Sequence, residues 1–126
     1  MIRALEAVLL SSEDATKLAK FFRDVVGLKQ SAEMDMGDKG EKGFEFELKG
    51  AGLYILDHSE IKGKNQEPAR VMFNLEVDDI EKEVARLDKL HVEKHQDIYH
   101  AEGYGLIATF KDPDGNYFQL VQVRSS

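Results

Sequence analysis

The chain has 126 residues, 42% of them apolar, enough for one domain with a hydrophobic core and too few for a second large one. Its 24 acidic and 17 basic side chains leave a formal net charge of −7, which repels phosphate backbones and argues against nucleic acid as a partner. Cysteine is absent, which excludes disulfides, thiolate zinc sites and a cysteine nucleophile.

Charge interrupts Met1-Ile2-Arg3-Ala4-Leu5-Glu6, so no secretory leader is expected, and no apolar run approaches the roughly 20 residues of a membrane span. The expected setting is the cytoplasm, without a membrane partner. Residues 5–10 form a short apolar run, and Ser11-Ser12-Glu13-Asp14 after it can accept hydrogen bonds from the free N–H groups of a helix start. Ala15, Leu18, Ala19, Phe22, Val25 and Val26 recur at helical spacing and predict a helix over 14–26. Gly27 tolerates the left-handed conformation that ends it.

A strand is expected over 28–36, then a flexible glycine- and charge-rich connection over 37–43. Phe44-Glu45-Phe46-Glu47-Leu48 alternates as a half-buried strand does, Lys49-Gly50 turns the chain, and 52–56 is a further strand. The polar stretch 58–69 contains a proline and reads as a linker. The pattern then begins again, with a strand over 70–77 and a helix cap at Asp78-Asp79. A helical stripe of Ile80, Val84, Leu87 and Leu90 follows, then strands over 91–95, 106–110 and 117–123. The last two are joined by Asp112-Pro113-Asp114-Gly115-Asn116, where proline presets φ while glycine and asparagine accept positive φ.

The halves superpose at an offset of 65 residues, which lays Ala15, Ala19 and Phe22 on Ile80, Val84 and Leu87. The same offset lays Val8 and Leu10 on Phe73 and Leu75, and Leu53-Tyr54-Ile55 on Phe118-Gln119-Leu120. The expected fold is α+β: two tandem βαβββ modules, about 1–57 and 70–124, in a single domain spanning 1–126.

Three segments resemble a known family. Phe21-Phe22-Arg23-Asp24-Val25-Val26-Gly27-Leu28 is similar to the end of its first helix, and Phe73-Asn74-Leu75-Glu76-Val77-Asp78-Asp79 to its second-module entry strand. Phe110-Lys111-Asp112-Pro113-Asp114-Gly115-Asn116-Tyr117-Phe118-Gln119-Leu120 resembles its terminal signature and is the most specific of the three. The family is the vicinal oxygen chelate superfamily of glyoxalases, bleomycin resistance proteins and dihydroxybiphenyl dioxygenases. The resemblance implies that the modules form a curved cup. Alternation then assigns Val8, Leu10, Phe73, Leu75, Val77, Phe118 and Leu120 to the helix side, leaving Ala7, Met72, Tyr54 and Gln119 for the cup floor.

By the resemblance, those four positions carry histidine or glutamate in metal-dependent members. Alanine offers no donor, a thioether suits copper(I) rather than hard ions, and neutral tyrosine and glutamine are poor ligands. No metal and no cofactor are therefore expected. His91 and His95 are spaced i, i+4 and would share a helical face, but in a strand that spacing separates them by ~13 Å, so they read as exposed polar residues. His58, at the end of a cup strand, and His100, in an expected loop over 99–105, read as surface histidines. Asn74 and Glu76 share the Met72 face; Asn74 is a candidate for orienting a ligand, and Glu76 reads as a solvated strand end. No catalytic residue is assigned. No serine triad or phosphate loop is present, and Gly103-Tyr104-Gly105 lacks the third glycine of a dinucleotide fingerprint.

The candidate ligand-binding set is Tyr54, Met72, Asn74, Tyr104 and Gln119, an apolar wall with polar handles suited to flat or sulfur-rich drug-like molecules. Three classes of function follow. The first is metal-free binding or sequestration of an apolar organic ligand, with antibiotics among the candidates. The second is a glyoxalase- or dioxygenase-like enzyme with non-standard metal ligands, and the third a non-catalytic partner module. A homodimer is expected, because open sheet edges need covering and the family association points the same way.

Overall fold

Two aspartates start the two helices in the same way. In a computed structural model, which describes residues 1–124, the Asp14 carboxylate accepts from the Lys17 amide at 3.1 Å and the Asp79 carboxylate from the Lys82 amide at 3.2 Å. A side chain from the last strand of each half supplies a second acceptor: Asp57 Oδ1 takes the Ala15 amide at 2.7 Å and Gln122 Oε1 takes the Ile80 amide at 2.9 Å. All four acceptors satisfy N–H groups that a helix start leaves unpaired. Each acceptor in the first half has its counterpart 65 residues later.

The chain divides into two compact units, Met1–Gly63 and Lys64–Ser126. Ser125 and Ser126, the end of the expected 1–126 domain, lie outside the described residues. The first unit contains β1 (Ala7–Ser12), α1 (Ala15–Lys20), β2 (Gln30–Asp35), β3 (Lys42–Phe46) and β4 (Gly52–Asp57). The second contains β5 (Phe73–Glu76), α2 (Ile80–Lys89), β6 (Lys94–Ala101), β7 (Gly105–Lys111) and β8 (Tyr117–Val123). Each unit is βαβββ, and its sheet has the same order, β1-β4-β3-β2 and β5-β8-β7-β6. The first strand of each unit runs parallel to the last and the other pairings are antiparallel. The architecture is the tandem α+β fold of the expectation.

Each helix buries its stripe on one face of its own sheet. In the first unit Leu18, Ala19 and Phe22 are fully buried, as are Phe46 and Ile55 on the sheet beneath. In the second, Ile80 and Leu87 are fully buried over a row of rings. Phe73, Phe118 and Phe110 on β5, β8 and β7 stack with centroids 6.4 and 6.0 Å apart. Burial of each such side chain contributes about 2 to 3 kcal/mol, so this row anchors the sheet whose opposite face carries the site.

Several boundaries differ from the sequence expectation. The helix expected over 14–26 is α-helical only to Lys20 and widens to a π-helical segment over Phe21–Val26, which Gly27 closes at φ 96°. The strand expected over 70–77 shrinks to Phe73–Glu76, because the Arg70 amide is spent on the Glu67 carbonyl in a turn at 3.1 Å. The strand expected over 91–95 is absent from 91–93: His91 (φ 60°) donates its amide to Asp88 and Val92 donates to Leu87, finishing the end of α2. In turn, β6 starts at Lys94 and continues through Tyr99 and His100, which were expected in a loop. No helix among the described residues is long and apolar enough to cross a membrane.

Candidate functional site

The face of the second sheet away from α2 is where polar and aromatic side chains collect. Phe118 and Leu120 point under the helix, so period-two alternation turns Tyr117 and Gln119 to the other side. In register, Gln119 lies beside Asn74 on β5 and Thr109 on β7. Gln119 Nε2 donates to the Thr109 hydroxyl at 2.9 Å, which fixes the amide and leaves its Oε1 without a partner among the described residues. Thr109 is buried.

A cavity of about 450 Å³ opens at this place. Gln119 and Thr109 form part of its lining with Tyr117, Met72 and Ala69. His95, Gln96 and Tyr99 of β6 complete it, although residues 95 and 96 of a regular strand would face opposite ways. The reason is that β6 shifts register against β7 twice, between Lys94 and Gln96 and again between Gln96 and Tyr99. Each irregularity re-aims side chains, as bulges beside binding sites do. The His95 and Tyr117 rings stack at 4.4 Å with 24° between planes, and the Tyr117 hydroxyl lies 3.2 Å from His95 Nδ1. The Lys111 ammonium stands 5.7 Å from the Tyr117 ring centroid while pairing with Glu93 at 3.2 Å. The lining carries a thioether, three aromatic rings, two amides and three hydroxyls, two of them phenolic, and no acidic side chain.

Of the five candidate residues, the structure places Met72 and Gln119 on this cavity. Asn74 and Tyr104 meet each other, Asn74 Nδ2 donating to the phenol oxygen at 3.0 Å, outside the cavity lining. Tyr54 belongs to the first unit, where it donates to Glu45 at 2.5 Å, and Glu45 also accepts from Ser31 at 2.7 Å. The Tyr54 hydrogen bond holds the Glu45 carboxyl below the usual carboxylate range, and Glu45 raises the Tyr54 phenol above its ordinary value. Tyr54 and Gln119 thus occupy corresponding places in the two units, each bonded to its neighbour on the adjacent strand.

Tyr117 was within reach of the alternation rule, since it lies two residues from Gln119 on the same strand. Thr109 needed the β7–β8 register, and His95, Gln96 and Tyr99 needed the two shifts in β6, which leave no trace in hydrophobic periodicity. Of the other histidines, none is in this lining. His58 follows β4 near Glu60, His91 lies in the turn after α2, and His100 is exposed on β6.

Ala7, Met72, Tyr54 and Gln119 do not fit the divalent ion that the resemblance associates with these positions. Their side-chain oxygen donors are a phenol committed to Glu45 and the carbonyl oxygen of one neutral amide, a weak ligand. Among the described residues, no three His, Cys, Asp or Glu side chains gather so as to hold a metal ion.

The family model described as glyoxalase/bleomycin resistance protein/dioxygenase superfamily matches residues 4–120. The chain belongs to this superfamily. No curated protein matches it. Solved structures of the glyoxalase/bleomycin resistance fold superpose over nearly the whole chain. TnmS3, an antibiotic binding protein from Streptomyces sp. CB03234, is 24% identical with a TM-score of 0.76, covering 98% of each chain. SMU.1112c is 18% identical with a TM-score of 0.80, covering 97% of this chain and 100% of that one. The fosfomycin resistance protein FosX from Mesorhizobium loti is 17% identical with a TM-score of 0.70, covering 98% and 94%. At these identities the superfamily likeness concerns the fold.

Proposed function

We propose that this superfamily member binds or sequesters a small, mostly apolar organic molecule without a metal ion and without turning it over. The observation that carries this reading is the wall of Met72, His95, Tyr99 and Tyr117 around the Gln119–Thr109 pair. Ligand sites are mostly apolar and aromatic with a few placed polar groups, and about 450 Å³ is within the range of sites for drug-sized guests. A neutral amide at a position associated with a metal ligand can orient a guest by one hydrogen bond. It brings no charge that would need a buried partner. TnmS3 is named as antibiotic binding and FosX as a fosfomycin resistance protein, so antibiotics are the first class of guest to try.

Met72 and Gln119 are proposed ligand contacts at this cavity, joined by Tyr99, His95 and Tyr117, and Tyr54, Asn74 and Tyr104 are proposed as ligand contacts away from its lining. The proposed organisation is one domain over 1–126 with modules at about 1–57 and 70–124. A cytoplasmic homodimer is part of the same proposal, supported by two edge strands in each sheet whose backbone groups need covering. Light scattering at tens of micromolar checks it, and a monomer there rejects it.

The test of the binding reading is calorimetry against a panel of aromatic antibiotics, with and without EDTA. Saturable binding at one guest per site, unaffected by EDTA, is the expected result. Binding that appears only after a divalent metal is added would replace this reading with the metal-dependent enzyme class.

A further inference from the structure

The segment before β5 supplies the Ala69 and Met72 side of the cavity, yet it belongs to no strand or helix. Such a wall holds its place only if something ties it down. The tie is made at Asn65, which lies just before this wall in sequence and is seated on the Asp112–Asn116 turn. The Asn65 amide donates to the Asp114 carbonyl at 2.8 Å, and Asn65 Nδ2 donates to Asn116 Oδ1 at 3.0 Å. On its other side Asn65 Oδ1 accepts the Glu67 amide at 2.9 Å, and the Arg70 amide donates to the Glu67 carbonyl at 3.1 Å. The Arg70 guanidinium also pairs with the Glu67 carboxylate at 3.1 Å. Hydrogen bonds therefore run from the turn to within two residues of Met72.

The turn itself is rigid at the atom that matters. Buried Asp112 accepts the Asp114 and Asn116 amides and, through Oδ2, the Asn116 side-chain Nδ2, each at 2.9 Å. A carboxylate can only accept, so it holds the NH2 end of the Asn116 amide and aims the Oδ1 end outward, at Asn65. We propose that Asn65, clasped by Asn116, is a positioning residue for the guest cavity: it sets where Ala69 and Met72 stand. This rests on the guest-binding reading above. The segment over 58–69 is accordingly a linker in its first half and a wall support in its second. The terminal turn motif then acts on the site as well as reversing the chain between β7 and β8.

The test uses Asn65→Asp and the neutral planar dye Nile red. The aspartate keeps an acceptor for the Glu67 amide but has no donor for Asn116 Oδ1, so the side-chain clasp is lost and a negative charge faces the Asn116 oxygen. Hydrogen exchange over residues 64–72 is expected to quicken while β7 and β8 keep their protection. Dye affinity should fall about three- to tenfold, the worth of one hydrogen bond, with little change in melting temperature. Asn65→Ala, which removes both side-chain bonds, should weaken binding at least as much. Unchanged exchange over 64–72 in Asn65→Asp overturns the clasp, and faster exchange with unchanged dye affinity overturns the positioning role. Dye binding that is absent from the wild type, or insensitive to Met72→Arg, overturns the guest-binding reading, and the positioning role falls with it.

Discussion

The phenol of Tyr54 on β4 donates a 2.5 Å hydrogen bond to the carboxylate of Glu45, its cross-strand partner on β3. The bond favours the ionised carboxylate and the protonated phenol together, which is why the two groups shift in opposite directions. Tyr54→Phe removes the donor. The Glu45 titration, followed by carboxyl NMR, should then move up towards the usual carboxylate range, while Ser31 keeps part of the depression. A Glu45 titration that stays where it is in Tyr54→Phe would mean that the phenol does not govern this carboxylate.

Asp112 predicts a pH dependence of the opposite sense. Burial pushes its carboxyl up from 3.8 to about 6, and hydrogen bonds from Asn116 and Asp114 only partly oppose that. The folded carboxyl keeps its proton to about pH 6, whereas the unfolded one has already released it. This group's contribution to stability is therefore fully present at low pH, falls as pH rises from about 4 to 6, and is absent above, a change of at most about 3 kcal/mol. Asp112→Asn should remove that component, so subtracting its melting curve against pH from that of the wild type isolates it. Parallel curves across this window would reject the assignment.

Two glycines separate backbone strain from crowding. Gly105, at φ 147°, starts β7 where a Cβ would collide with the Gln122 carbonyl oxygen, a backbone atom that cannot swing aside. Gly40 has φ 83° but open space around it. Gly40→Ala should cost about 1 kcal/mol, from conformation alone, and Gly105→Ala about 2 to 4 kcal/mol, by urea unfolding. Equal costs would show that the close approach at Gly105 is relieved by relaxation.

Met72 stands 42% exposed on the cavity, so replacing it changes the site more than the core. Met72→Arg should abolish binding of an apolar guest by placing a charge among Tyr99, Tyr117 and His95, with thermal stability changed by less than about 1 kcal/mol. Dialysis against EDTA should alter neither guest affinity nor melting temperature. Retained affinity in Met72→Arg, or lost affinity after EDTA, would each contradict the proposed function.

Local chemistry alone dictates much of the fold. Asp14 and Asp79 are acceptors that helix starts require, Gly27 is the residue that a left-handed helix end tolerates, and the apolar stripes recur at a common offset. Each is decided by neighbours within a turn or two of chain, so the βαβββ repeat was legible, as were Met72 and Gln119 on the face away from the helix. The partners were not. Tyr54 finds Glu45, Gln119 finds Thr109 and Asn74 finds Tyr104 only because particular strands pair in particular registers. Side-chain periodicity fixes which face a residue takes, but a slip of two residues keeps every face and changes every cross-strand partner. The same holds more strongly for β6, where two register shifts bring His95, Gln96 and Tyr99 onto one cavity against the alternation that a regular strand would impose. The amino-acid sequence by itself determined the repeated βαβββ order and the neutral side chains of Met72 and Gln119 at the cavity. Which rings close around it was decided by tertiary pairing, because a bulge is settled by the fit between two strands and belongs to neither alone.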